Sequence, residues 1–153
     1  MPGARILLVE DDSVLRELVA YNLEARKHEV HQAVDGQSAV IYLRAHPIDL
    51  VLLDINLPDQ TGWEVLRTAQ REGLLQQQDV DGGGPKVPVV VLSAVQVSQR
   101  RLAEFRPLAY LPKPFPLDSL LRLAAEAAGR RNGEIISETK APGVLPDEEK
   151  LHV

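Results

Sequence analysis

The chain of 153 residues has no cysteine, one methionine and one tryptophan, and aromatic residues make up only 4% of it. Without thiols there is no disulfide scaffold, no thiolate zinc site and no cysteine nucleophile, and the absence fits a reducing compartment. Long apolar runs are missing too. No segment approaches the roughly 18 uninterrupted apolar residues of a membrane-spanning helix, and the first residues lead straight into an apolar stretch too short for a secretory leader. The expectation is a soluble protein of the cytoplasm that makes no membrane contact. There is also no long cluster of Lys and Arg. The net charge is −5, with 17 acidic and 15 basic side chains over residues 1–131 against five and two over 132–153. A nearly balanced body offers little surface for neutralising phosphates, so direct nucleic-acid binding is not expected.

What is present is enough for one domain with a proper core, since 44% of the residues are hydrophobic. Short apolar or β-branched runs at 5–9, 29–34, 49–53, 87–92 and 108–111 suit strands, most of them buried on both faces. Between them, apolar residues recur every three or four positions: Val14, Leu15, Leu18, Val19 and Leu23; Ala39, Val40 and Leu43; Val65, Leu66 and Ala69; Leu102 and Phe105; Leu117, Leu120, Leu121, Ala124 and Ala128. Each set defines one apolar helix face. Five strands alternating with five helices predict a doubly wound α/β domain over 1–131. The polar, glycine-rich stretch 76–86 reads as a flexible loop, and the acidic stretch 132–153, without periodicity, as a disordered tail.

In such a sheet ligands gather at the carboxyl ends of the strands, so the polar residues after each apolar run matter most. Glu10, Asp11 and Asp12 follow the first run, Asp54 the third, Ser93 the fourth and Lys113 the fifth. Singly they are ambiguous: Asp12 could cap a helix, and Asp54 could shape the turn before Pro58. Together they would converge on one sheet edge. Carboxylates brought together without a counter-charge repel, and a small all-oxygen ligand set suits Mg²⁺ or Mn²⁺. With a Lys and a hydroxyl nearby, the set is one for phosphoryl transfer, with a carboxylate as the nucleophile.

The segments Val9-Glu10-Asp11-Asp12, Leu53-Asp54-Ile55-Asn56-Leu57-Pro58, Val91-Leu92-Ser93-Ala94 and Tyr110-Leu111-Pro112-Lys113-Pro114-Phe115 resemble the four signature segments of the receiver domain of two-component response regulators. The resemblance spans about residues 4–130, and in domain content the chain is similar to the single-domain, chemotaxis-type regulators. It implies a flavodoxin-like fold with five parallel strands in the order 2-1-3-4-5 flanked by five helices. It also implies that Asp54 is the phosphoacceptor, that Glu10, Asp11, Asp54 and the backbone carbonyl of Asn56 hold Mg²⁺, and that Lys113 and Ser93 contact the phosphoryl group. Asp12 becomes a supporting acid or helix cap, Tyr110 a switch aromatic that moves with Ser93, and Lys113-Pro114 a cis peptide. The implied partners are a histidine kinase or histidine phosphotransfer protein and a downstream protein target met by the fourth helix, fifth strand and fifth helix. The implied state is a monomer or a phosphorylation-dependent dimer, a signalling protein that catalyses only its own modification.

Some features depart from that family or stand outside it. The stretch 76–86 is longer than usual, and 97–107 carries Arg100-Arg101, Phe105 and Pro107 where many members have a small Gly-Ala pair, which makes the fourth helix hard to forecast. A tail of 22 residues is too short for a DNA-binding or enzymatic output domain. His28 and His31 are expected to be exposed, and Trp63 to pack. Two competing readings are a receiver-like module that signals without phosphorylation, which would lack one of the site groups, and a metal-dependent phosphohydrolase, which would want a carboxylate where Asn56 stands.

Overall fold

The computed structural model of the protein describes residues 3–76 and 86–133. Of the expected loop at 76–86 and tail at 132–153, residues 77–85 and 134–153 lie outside the described residues. Strands β1 (Arg5–Val9), β2 (Glu29–Ala33), β3 (Leu50–Asp54), β4 (Val89–Ser93) and β5 (Ala109–Pro112) alternate with helices α1 (Ser13–Ala25), α2 (Gly36–Ala45), α3 (Gly62–Arg71), α4 (Gln99–Phe105) and α5 (Leu117–Arg131). The strands form one parallel sheet in the order β2-β1-β3-β4-β5, as the family resemblance implied.

The near-continuous apolar strands make sense because the sheet is buried on both faces. Side chains alternate across a strand. Leu7, Val9, Val51, Leu53, Val89 and Val91 therefore meet Ala39, Val40 and Leu43 of α2 and Trp63, Val65, Leu66 and Ala69 of α3 on one side. Ile6, Leu8, Leu50, Leu52, Val90 and Leu92 meet Val19, Ala20 and Leu23 of α1 and Leu117, Leu120, Leu121, Ala124 and Ala127 of α5 on the other. Burying one Leu or Val side chain contributes about 1.5–3 kcal/mol, so this central sandwich dominates the stabilisation of the fold.

Several element boundaries differ from the expected runs for physical reasons. β4 starts at Val89 rather than at 87, because Pro88 has no N–H to give to the ladder, although its carbonyl accepts from Val51 N at 3.0 Å. β3 starts at Leu50; the preceding Asp49 gives its backbone N–H to the Arg5 carbonyl at 2.7 Å, and its carboxylate accepts from Arg5 at 2.8 Å from the backbone N, 2.9 Å from Nε and 2.8 Å from Nη2. At their other ends β3 and β4 run on through Asp54 and Ser93, so these polar residues are the last residues of strands rather than the first of loops. In α1 the expected face is rotated: Val19, Ala20 and Leu23 are buried, while Val14 and Leu18 point outward together with Tyr21. The short α4 buries none of its residues fully, although Leu102 and Phe105 pack against the core.

The histidines correct the expectation. His28 is buried, because its Nδ1 accepts the backbone N–H of Ala4 at 2.9 Å where the chain enters β1. His31 is half-buried, stacked on His46 with ring centroids 4.5 Å apart. Burial, and then the nearby Arg26 charge, hold the His28 imidazole below its ordinary pKa. A folded-state pKa below the unfolded one means that the unfolded chain binds more protons, so this residue's contribution favours folding more as pH rises and is lost as pH falls below about 6.5. Urea unfolding should accordingly show a steeper loss of stability between about pH 7 and pH 5.5 in the parent than in H28N, which keeps an acceptor but cannot titrate. Equal slopes in the two proteins would contradict the assignment.

Candidate functional site

The sheet order reverses between β1 and β3: the chain leaves β1 toward β2 on one side and later returns to β3 on the other. The crevice at such a reversal lies outside the carboxyl ends of the two strands. Val9 is in register with Leu53, so the next residues, Glu10 and Asp54, emerge side by side. Asp11 follows on the exposed β1–α1 turn. Oxygens from Glu10, Asp11 and Asp54 all lie within 4.8 Å of one another.

Lys113, just past the end of β5, reaches into this group. Its Nζ donates to Glu10 Oε1 at 2.7 Å and to Asp54 Oδ2 at 3.1 Å. Two nearly buried carboxylates thus share one ammonium, and a third carboxylate lies beside them. Glu10 registers both its burial and its neighbours. Burial first, and then the neighbouring Asp54, push its carboxyl up to about 7 against the pull of Lys113. Burial would lower the Lys113 pKa, but the bonds and charges of Glu10 and Asp54 outweigh it and raise it.

The remaining expected residues surround this cluster. Asn56 turns its backbone N–H to Asp54 Oδ1 at 3.0 Å, which holds one carboxylate oxygen while Lys113 holds the other. Gly62 is needed behind it: a Cβ there would lie 2.8 Å from the Asp54 carbonyl. Asp12 is the cap of α1, its Oδ1 accepting from Val14 N at 3.0 Å and Leu15 N at 3.1 Å. Ser93 is buried on β4, and its hydroxyl donates to the Val95 carbonyl at 2.7 Å. The half-buried Tyr110 donates to the same carbonyl at 3.2 Å. The Lys113-Pro114 bond is cis, and Trp63 is buried and stacked on Phe105, both as expected.

Sequence reasoning missed two groups. Arg16 donates from Nη1 to the carbonyl of Glu10 at 3.0 Å and from Nε to Gln32 at 3.1 Å, tying the acidic turn to β2. Its position one turn into α1, four residues after the cap, was the available signal. Asp59 accepts from the backbone N–H groups of Gly36 and Gln37, and no local pattern marks so distant a pairing.

The donor set suits a small hard cation: all its atoms are carboxylate oxygens, few enough to leave room for water, as Mg²⁺ prefers. Asp11 is the exposed member, so replacing it should alter cation binding and spare the core. In isothermal titration D11A should bind Mg²⁺ at least about tenfold more weakly than the parent, a loss of about 1.4 kcal/mol, with the melting temperature of the cation-free protein little changed. Undiminished affinity would remove Asp11 from the ligand set.

Comparison with known proteins agrees with this geometry. Residues 6–125 match the family model of the response regulator receiver domain. The transcriptional activator protein PfeR of Pseudomonas aeruginosa is 34% identical over 158 residues, a match covering 95% of this chain and 48% of PfeR. The chain spans about half the length of the curated relatives it matches. Among solved structures, response regulator TrrA of Thermotoga maritima, in complex with Mg²⁺-BeF, superimposes with a TM-score of 0.64 at 25% identity, covering 81% of this chain and 98% of TrrA. The receiver domain of sensor histidine kinase PA1611 of Pseudomonas aeruginosa, with a magnesium ion coordinated in its active-site cleft, gives 0.66 at 28% identity and covers 83% and 98%. With most of its length under the family model, and with the acid cluster and the lysine at the reversal of the sheet, the chain belongs to the response regulator receiver domain family.

Proposed function

We propose that Asp54 accepts a phosphoryl group from a phosphohistidine on a histidine kinase or histidine phosphotransfer protein, and that the resulting aspartyl phosphate sets the surface this domain offers to a downstream partner. The observation that carries this reading is the convergence of Glu10, Asp11 and Asp54 oxygens within 4.8 Å of one another beside the Lys113 ammonium.

A carboxylate oxygen of Asp54 attacks the phosphorus. The bond from phosphorus to the histidine nitrogen breaks in line, and its electron pair returns to the imidazole. Glu10, Asp11, the Asp54 carboxylate and the Asn56 carbonyl would hold Mg²⁺, which when bound supplies positive charge to the phosphoryl oxygens. Lys113, already 3.1 Å from Asp54, supplies the fixed cation on the β5 side. The Asn56 N–H keeps the acceptor oriented through the other oxygen. On this reading the domain modifies only itself and turns over no separate substrate.

Transmission follows from the Val95 carbonyl, which accepts from both the Ser93 and Tyr110 hydroxyls. If Ser93 turns its hydroxyl to a phosphoryl oxygen, that carbonyl loses its shorter bond and the turn carrying Val95 is free to follow. Tyr110, bound to the same carbonyl, then changes position with it. The response would appear on α4, β5 and α5, as a shift in an existing equilibrium. On this reading the protein works in the cytoplasm, as a monomer or as a dimer formed on phosphorylation.

Acetyl phosphate with Mg²⁺ tests the acceptor without a cognate kinase. The parent should take up one phosphoryl group by intact-mass measurement and D54N none. Uptake by D54N equal to that of the parent would make the assignment of the acceptor wrong.

A further inference from the structure

The loop joining β3 to α3 carries Asn56, and its ends are well fixed. Asn56 N is bonded to Asp54 Oδ1 at 3.0 Å, and Gly62 N to the Ile55 carbonyl at 2.7 Å. Thr61 closes the far end as the cap of α3, with Glu64 bonding back to Thr61 N at 2.9 Å. Between these anchors the loop is held from outside, by α2. Asp59 Oδ1 accepts from Gly36 N at 2.8 Å and Asp59 Oδ2 from Gln37 N at 2.9 Å. The next N–H of that helix, on Ser38, is taken by Asp35 at 2.8 Å. Asp35 therefore caps its own helix, and Asp59 fills the two places it leaves open.

The neighbouring side chain makes the same contact closer. Gln60 lies over Gly36, where a Cβ would fall 2.5 Å from Gln60 Cγ, so a larger residue at 36 would push the Gln60 side chain aside. A carboxylate and a glycine from segments more than 20 residues apart thus form one latch.

We infer that Asp59 is a positioning residue for the candidate cation site: by clamping the β3–α3 loop to the first turn of α2, it holds the Asn56 carbonyl in place to serve as a ligand. Asp59 touches neither the cation nor the phosphoryl group. The inference rests on the reading of Asn56 as a ligand under the proposed function, and it adds a residue and a mechanical link that the four signature segments do not contain. Alignment of ligands by such outer groups commonly changes metal affinity by about 10- to 100-fold. It also makes the start of α2 an element that feels occupation of the site.

The test compares the parent with D59N and D59A, using Mg²⁺ alone as the probe in isothermal titration and reading the Gly36 and Gln37 amides by NMR. Both variants lose the same charge, but D59N keeps one oxygen able to accept from the helix. Positioning predicts that Mg²⁺ binds about tenfold more weakly in D59A, with D59N between D59A and the parent. It also predicts that Mg²⁺ shifts the Gly36 and Gln37 amides in the parent and leaves them still in D59A. Equal weakening in D59N and D59A would reduce the role of Asp59 to its charge and overturn the inference, as would parent-like affinity in D59A with only a lower melting temperature. Failure of the proposed function itself reads differently: the parent would then show neither Mg²⁺ binding nor uptake of a phosphoryl group.

Discussion

One ammonium between two nearly buried carboxylates organises this molecule. Lys113 is 103 residues from Glu10 and 59 from Asp54, and it reaches both because β1, β3, β4 and β5 stand in register side by side. Breaking a buried pair by removing one partner typically costs about 3–5 kcal/mol, because a charge is left without compensation. Yet the set is not neutral. Asp11 adds a further negative charge at the rim, and burial, with Asp54 beside it, pushes the Glu10 carboxyl up to about 7. A site with this shortage is built to take up positive charge, and Mg²⁺ is the cation that its oxygens suit.

The fold supplies the rigidity that such an arrangement needs. Glu10 and Asp54 sit at the ends of β1 and β3, whose other side chains are locked between two helical layers, so these two strand ends are held by the core. The moving parts lie outside that sandwich. The turn carrying Val95, the hydroxyls of Ser93 and Tyr110 that share its carbonyl, and the short α4, none of whose residues is fully buried, occupy the side where packing is thinnest. Elements with few buried contacts open at the lowest cost, which suits this side to carry a response. On the other side, Arg16 and Asp59 tie the two site loops to β2 and α2.

Much of this was legible in the residue order because the physics involved is local or periodic. Apolar runs marked the five strands, three- and four-residue spacing marked the helices, and the polar residue after each run marked the site. The errors arose where one signal was used for two purposes. Hydrophobicity reports burial, whereas a strand ends where its hydrogen-bond ladder ends, so Asp54 and Ser93 belong to β3 and β4 despite being polar, and Val87 falls outside β4 because of Pro88. Val14 and Leu18 fit the period of α1 and still face outward, because Leu15, Val19, Ala20 and Leu23 fill its inner face. His28 is polar and buried because a single backbone N–H needs its ring nitrogen. The sharing of Lys113 with Glu10 and the latch from Asp59 to α2 depend on tertiary proximity, which no spacing in the chain encodes.

The central claim is that phosphoryl transfer ends on the carboxylate of Asp54. Sodium borohydride reduces an acyl phosphate to the alcohol with loss of phosphate, which would leave homoserine in place of the modified aspartate. Protein treated with acetyl phosphate and Mg²⁺, reduced in this way, digested and sequenced by tandem mass spectrometry should carry homoserine at position 54 and at no other acidic residue. Homoserine at Glu10's neighbours Asp11 or Asp12 instead, or a phosphoryl group retained on a residue that borohydride does not reduce, would contradict the account.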